Sequence, residues 1–364
     1  MKRFFGKLFI LFLIPGLVMM AIGIYSDPAS LYSSKLIEDM ENELRTGNVI
    51  SNGNTIIDER LFQELRISNL PYDPQTIVMG SSRVMYVPWE EDGLYNAGVS
   101  SATLKDYYGI VGILDSKDIK YNKIIFGIDP WIFSNNENGV EYKSIIPYII
   151  YEESICKGDT EAKVQQGFLN RNWEYDYERF ITLFSPAYFK SALKNIRNVK
   201  NKYVKKENNE DVSDVWKIVP SGRRIPRHAL FHTVEQNDMT SYENIAASNL
   251  YYISNFRELD NNKTRCFEAL ITHLIQKGIE IEFYLPAWYP IQYDAIAEDE
   301  QYSGVNKCEK YLIEYASKHG ITVRGSYNPY ICNLNKEDFM DDLHLKPEKA
   351  LEQYYYIREE GQQT

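Results

Sequence analysis

Several kinds of site have no signature in this sequence. Its four cysteines, Cys156, Cys266, Cys308 and Cys332, form no Cys-x-x-Cys pair, which argues against a zinc ribbon or a dithiol redox site. No phosphate-binding loop is present, and the glycines of GIVGILD fit no nucleotide fingerprint. We therefore expect neither a cofactor nor a bound metal. The cysteines form up to two disulfides or remain free thiols, and their spacing does not decide between these alternatives.

Positive charge and histidine are also scarce. The chain has 40 basic against 51 acidic residues and only five histidines, and this acidic balance argues against a nucleic-acid partner. His228 and His232, in RRIPRHALFH, have the spacing of a metal pair on one helix face. No HExxH-type carboxylate pattern accompanies them, so surface histidines are the simpler interpretation. The basic residues around them either contact an anionic polymer or form a solvated surface.

Charge is missing altogether from Leu8 to Ser26, directly after Lys2, Arg3 and Lys7. Together with the residues just before it, this run is long enough to cross a bilayer, and transmembrane helices tolerate a proline such as Pro15. The preceding basic residues predict a cytoplasmic N-terminus and an extracytoplasmic remainder. A cleaved signal peptide is the alternative, but no A-x-A cleavage site follows. We expect residues 1–26 to be a single-pass membrane anchor.

The remainder alternates between buried strands and amphipathic helices. QTIVMGSS, GLYNAGVSS, NKIIFGIDPWIF, IEIEFYLPAWYP and ITVRGSY predict strands, while TLKDYYGIVGILDS, CFEALITHLIQKG, CEKYLIEYASKHG and KPEKALEQYYYIREE predict helices. This alternation predicts an α/β fold with a parallel sheet covered on both faces. We expect a stalk over residues 27–70 and one domain over 71–364, interrupted by an insertion at about 134–255.

Polar residues at the strand ends point to a site. Ser82, Gly98 and Asp129 each follow a predicted strand, and parallel sheets bind ligands at the carboxyl ends of their strands. A serine nucleophile needs a base and a carboxylate that orients the base. Asp341 and His344, three apart in DDLH, have that spacing. Without them, Ser82 would be read as the cap of the following helix.

These blocks resemble the SGNH, or GDSL-like, hydrolase superfamily, over four short stretches between residues 76 and 347. The resemblance implies a flavodoxin-like three-layer sandwich, with Ser82 as nucleophile, His344 as base and Asp341 as its orienter. It places oxyanion donors at Ser82 and Gly98. The third block has Asp129 where the family usually has an oxyanion-binding Asn, and an ionised Asp would repel an oxyanion. We expect Arg83 to bind a substrate carboxylate or phosphate, or else to pair with Asp341 or Asp342.

The anchor, GSSR, GIDPWIF and LPAWYP resemble membrane-tethered members that act in teichoic-acid D-alanylation and alginate O-acetylation. This resemblance implies acyl transfer, such as O-acetylation, to an extracytoplasmic polysaccharide, beside a multi-pass membrane acyltransferase. One alternative is an SGNH esterase or deacetylase that uses water as acceptor. Another is a non-catalytic envelope scaffold that partners the membrane acyltransferase.

Overall fold

The protein is built around a five-stranded parallel sheet. The computed structural model describes residues 2–28, 30–51, 56–164, 173–196 and 204–357. The central sheet has the order β3-β2-β4-β8-β9, and its strands are β2 Thr76–Gly80, β3 Leu94–Asn96, β4 Lys123–Gly127, β8 Glu280–Leu285 and β9 Thr322–Gly325. Every neighbouring pair is parallel. This is the order of flavodoxin-like doubly wound sheets, whose ligand site lies where the order reverses.

Helices cover both faces of this sheet. The α-helices that the structure describes after β2 are α4 Ser82–Met85, α5 Leu104–Ser116, α6 Ile146–Cys156, α7 Trp173–Thr182, α8 Pro186–Asn195, α9 Val234–Ala246, α10 Asn261–Gln276, α11 Pro290–Glu298, α12 Gly304–His319 and α13 Pro347–Tyr355. Side chains alternate across a strand, so Ile77 and Met79 join the larger core beneath α5, α10 and α12, while Val78 faces α13. The predicted α/β fold with a parallel sheet is confirmed.

The segment that we expected to be a stalk is part of the globular body. It contains α2 Lys35–Arg45, β1 Val49–Ser51 and α3 Glu59–Ser68. Arg60 of α3 forms a buried ion pair with Asp106 of α5, at 2.9 Å between Nε and Oδ1. The stalk prediction is therefore wrong, because the amphipathic helices of this segment bury their apolar faces against the domain.

The insertion contributes to a second sheet, in which β1 is a central strand. This antiparallel sheet has the order β5-β1-β6-β7, with β5 Lys205–Glu207, β6 Lys217–Ile218 and β7 Arg224–Ile225. Its pairing joins two segments of the chain more than 150 residues apart. The insertion and the N-terminal segment therefore form one structural unit beside the central sheet.

The first helix, α1, runs from Lys2 to Ser26 and packs on α8. Within the part of the chain that the structure describes, no helix meets the length and apolarity required for a bilayer crossing. The four cysteines are free thiols, which selects one of the two alternatives left open by their spacing.

Gly112 provides a test of the helix packing. A methyl group at this position would lie 2.3 Å from the carbonyl oxygen of Tyr148 in α6, so α5 and α6 approach each other more closely than any side chain permits. We expect Gly112→Ala to destabilise the protein by roughly 1–3 kcal/mol through overpacking, measured by urea unfolding. Glycine-to-alanine changes inside helices ordinarily stabilise, so a gain in stability would contradict this packing.

Candidate active site

β2, the first strand of the central sheet, ends in a sharp turn that presents Ser82. β2 ends at Gly80, whose φ of 155° and whose close approach to the Gly127 carbonyl leave no room for a side chain. Ser81 then caps α4, its Oγ accepting a hydrogen bond from the Arg83 amide at 3.2 Å. Because the buried Ser81 performs the capping role, the half-buried hydroxyl of Ser82 remains available at the carboxyl edge of the sheet.

Ser82, His344 and Asp341 lie in the arrangement of a catalytic triad. The Ser82 Oγ is 2.8 Å from Nε2 of His344. On the other side of the ring, His344 Nδ1 lies 2.8 Å from Oδ2 and 3.0 Å from Oδ1 of Asp341. These distances confirm the expected geometry, in which one ring nitrogen faces the hydroxyl and the other faces the carboxylate.

The loop that carries the histidine is itself held in place. Oδ1 of Asp341 accepts hydrogen bonds from the backbone amides of His344, at 2.6 Å, and Leu343, at 2.9 Å. Burial alone would raise the pKa of Asp341, but the charge of His344 and these hydrogen bonds outweigh it and lower the pKa. The carboxylate is thus ionised at neutral pH, as an orienting group must be.

The expected oxyanion donors differ in availability. The Gly98 amide already donates to Oδ1 of Asn96 at 3.0 Å, so the structure does not leave it free for an oxyanion. Asp129 is buried and faces Arg83. Within the described residues, the amide of Ser82 has no hydrogen-bond acceptor. Of the three proposed positions, Ser82 is therefore the one that fits the role in this conformation.

Arg83 and Asp129 form a buried ion pair behind Ser82. Nη1 of Arg83 lies 2.8 Å from Oδ1 of Asp129, and Nη2 donates to the carbonyls of Pro286, at 2.8 Å, and Ala287. The guanidinium also lies 5.2 Å from the ring centroid of Trp288. Burial raises the pKa of Asp129, and the adjacent Arg83 opposes this shift.

This pair corrects two expectations. Arg83 is 5% exposed and its guanidinium faces the interior, so it does not reach a bound substrate. Its partner is Asp129, whereas we had expected Asp341 or Asp342. Asp129 is not an oxyanion ligand; it neutralises Arg83, which accounts for an acid where the resembled family usually has an amide.

A wall of side chains beside His344 was missed by the sequence analysis. The ring of Tyr86 lies edge-on to His344, with centroids 5.5 Å apart, and stacks on Trp216 at 5.6 Å. The guanidinium of Arg227 lies 5.5 Å from the Trp216 ring. No carboxylate among the described residues pairs with Arg227, and its buried Nε has no acceptor there. Its place in the basic stretch around His228 was the available sequence signal.

His228 and His232 do not form a metal pair in this conformation. A short 3-10 turn, His228–Leu230, separates them, where a shared helix face would need a longer helix. Nδ1 of His228 lies 3.2 Å from Oδ1 of Asp214, and the His232 amide donates to the Met340 carbonyl at 2.7 Å. His232 therefore helps to hold the insertion against the loop that carries His344.

A cluster with metal-ligand spacing does occur among the described residues, at Asp115, Glu152 and His273. Asp115 and His273 lie near the ends of helices that lead into strands, so the cluster is at the sheet edge opposite Ser82. Asp115 also accepts a hydrogen bond from Lys277, so a cationic side chain already lies against this carboxylate.

Comparison with known proteins supplies no relative: no family model matches the chain, and no curated protein matches it.

The ion pair behind Ser82 can be tested by removing its negative charge. Asp129→Asn leaves the buried Arg83 cation without a counter-charge, and we expect a loss of about 3–5 kcal/mol in the free energy of unfolding. Urea unfolding followed by tryptophan fluorescence measures this loss. As a matched control, Asp118→Asn removes an exposed partner of Lys120 and should leave the urea midpoint close to that of the wild type.

The double change Arg83→Met, Asp129→Asn removes both charges together. It should be more stable than Asp129→Asn alone, because no uncompensated buried charge remains. Equal destabilisation by the single and double changes would show that Asp129 does not serve to neutralise Arg83.

Proposed function

We propose that this protein is an SGNH-type serine acyltransferase that transfers an acyl group to an extracytoplasmic polysaccharide. The observation that supports this proposal most directly is the hydrogen-bonded arrangement of Ser82, His344 and Asp341 at the carboxyl edge of the sheet. The strand order adds support, because it is that of the flavodoxin-like sandwich implied by the resembled blocks. No cofactor takes part in the proposed chemistry.

The proposed reaction has two halves. His344 removes the proton of Ser82 while Oγ attacks the acyl carbonyl, and the amide of Ser82 donates to the developing oxyanion. The protonated His344 then gives its proton to the leaving group, which departs and leaves an acyl-serine. In the second half, His344 deprotonates a sugar hydroxyl, whose oxygen attacks the ester carbonyl; the bond from the carbonyl carbon to Oγ then breaks, and His344 returns the proton to Ser82. Asp341 stabilises the imidazolium in both halves.

An esterase would use the same side chains with water as the acceptor. The arrangement of Ser82, His344 and Asp341 favours the transferase or the esterase over a non-catalytic scaffold. A scaffold has no need of a serine 2.8 Å from an oriented histidine. The transferase reading is favoured here by the resemblance to membrane-tethered acyl-transfer proteins. The two are separated by the fate of the acyl group, which ends on glycan in one and as free acid in the other.

We place the protein at the outer face of a membrane, anchored by α1. The uncharged run from Leu8 to Ser26 and the preceding basic residues support this location. A multi-pass membrane acyltransferase that delivers the acyl group is the partner implied by the resemblance.

The nucleophile is tested with a fluorophosphonate probe and with acyl transfer in parallel. Ser82→Ala should abolish labelling and lower the transfer rate by about a thousandfold or more, because the attacking oxygen is removed. Ser81→Ala, one residue away, removes a helix cap but should retain labelling. Mass spectrometry then measures how much of the acyl group is on the acceptor glycan and how much is free acid.

Labelling of Ser82→Ala at the wild-type level would exclude Ser82 as the nucleophile. Release of the acyl group as free acid alone, even with saturating glycan, would replace the transferase by the esterase. No labelling of the wild-type protein and no turnover of any acyl donor would favour the scaffold.

Arg227 indicates the character of the acceptor. A guanidinium that pairs with no carboxylate among the described residues, next to the wall at His344, suits a carboxylate or phosphate on the glycan. We expect Arg227→Gln to raise KM for an anionic acceptor by about tenfold, because one charge-assisted hydrogen bond is lost. KM for a neutral acceptor should stay unchanged. The control is Arg223→Gln, because the guanidinium of Arg223 is already paired with Glu210. Equal KM values for the Arg227 variant and the wild type would remove this role.

A further inference from the structure

The hairpin of α7 and α8 has an uncharged tip. Between Arg179 and Lys190 lie ten residues without charge, FITLFSPAYF, from Phe180 to Phe189. This tip carries large apolar side chains that the protein does not cover: Phe180 is 50%, Ile181 47% and Phe184 40% exposed. Soluble surfaces rarely gather such residues in one place.

The tip lies along the uncharged run of α1. Phe184 lies beside Gly16, where a methyl group on the glycine would be 3.5 Å from its ring. Further along the same helix, Leu183 and Tyr188 pack against Gly23. Gly16 precedes Ser26 by ten residues, or about 15 Å of helix, which is about half of the ~30 Å hydrocarbon core of a bilayer.

Polar contacts begin where the uncharged run ends. The Ser26 hydroxyl donates to the Ala192 carbonyl at 2.9 Å, and the Tyr188 hydroxyl donates to Asp27 at 3.2 Å. Beyond them, Arg179 donates to the Leu31 carbonyl and lies over the ring of Tyr32. These contacts fix the hairpin to α1 at one depth, with charged groups on one side of Ser26 and apolar groups on the other.

We infer that the tip Phe180–Phe189 enters the outer lipid leaflet beside α1, so that the protein is held in the membrane by a helix and a re-entrant hairpin together. This inference rests on the proposed anchoring by α1. The occupant is lipid, because the exposed side chains of the tip continue the exposed apolar surface of Leu13, Ile14 and Leu17 on α1. Lys190 and Lys194, both exposed on α8, suit the headgroup region, as in interfacial helices.

The α7 helix contacts the segment that leads to the candidate active site. Tyr175 of this helix donates to Asp58, at 2.6 Å, and Asp58 caps α3. Its neighbour Glu59 accepts from the amide of Ser100, which follows the strand end at Gly98. The membrane-facing hairpin is therefore linked by direct contacts to a loop of the candidate active site.

The test is photocrosslinking of the full chain in vesicles. p-Benzoylphenylalanine replaces Phe180, Phe184 or, as the control, Tyr242, which is exposed on α9 in the insertion. The vesicles contain phosphatidylethanolamine, phosphatidylglycerol and an alkyne-tagged phospholipid. After irradiation, we expect lipid adducts at positions 180 and 184 to exceed those at 242 several-fold.

Each other outcome overturns the inference in a distinguishable way. Equal lipid labelling at all three positions, with the protein still in the carbonate-washed pellet, removes the hairpin from the leaflet but leaves the anchor intact. A crosslinked dimer at position 184 assigns the tip to a second copy of the chain. Recovery of the protein in the carbonate supernatant overturns the anchor and the hairpin together, without bearing on Ser82.

Discussion

The position of Ser82, the candidate nucleophile, depends on a buried ion pair that begins one residue after it. Arg83 follows Ser82 directly, and its guanidinium is bound by Asp129 at the end of β4 and by the carbonyls of Pro286 and Ala287 after β8. Three consecutive strand ends are thereby joined beneath the candidate site. An isolated charge at this depth would cost several kcal/mol, so neither residue is tolerated there without the other.

Around this ion pair, the candidate site is assembled from distant parts of the chain. His344 is 262 residues from Ser82, yet the parallel sheet and α13 bring its loop to the same edge. Asp342 of that loop accepts hydrogen bonds from Gln292 of α11, at 2.9 Å, and Asn244 of α9, at 3.0 Å. The insertion thus supports the histidine loop from outside, in addition to providing Trp216 and Arg227.

The segment before the sheet is joined to the same site. Gln63 of α3 donates to the Gly98 carbonyl at 3.1 Å, and the Ser221 carbonyl accepts from the Asn96 amide at 2.7 Å. The loop after β3 is therefore held from one side by the N-terminal segment and from the other by the insertion. A membrane anchor attached to that segment, as we propose, would orient the candidate active site relative to the bilayer.

Local patterns in the sequence determined the five strands of the central sheet, the helices α5, α10, α12 and α13, and the residues of the candidate triad. Continuous apolar runs such as IVM and IIF predict strands because a strand buried on both faces is apolar throughout. The serine and DDLH blocks each hold their polar groups within a few residues of one another. Only the tertiary structure decided which charges meet. The partner of Arg83 is 46 residues away, the pairing of Arg60 with Asp106 shows that a supposed stalk belongs to the domain, and Arg227 pairs with no carboxylate in the described part of the chain. Such pairings depend on the register of strands and the crossing of helices, and neither is written in the spacing of residues along the chain.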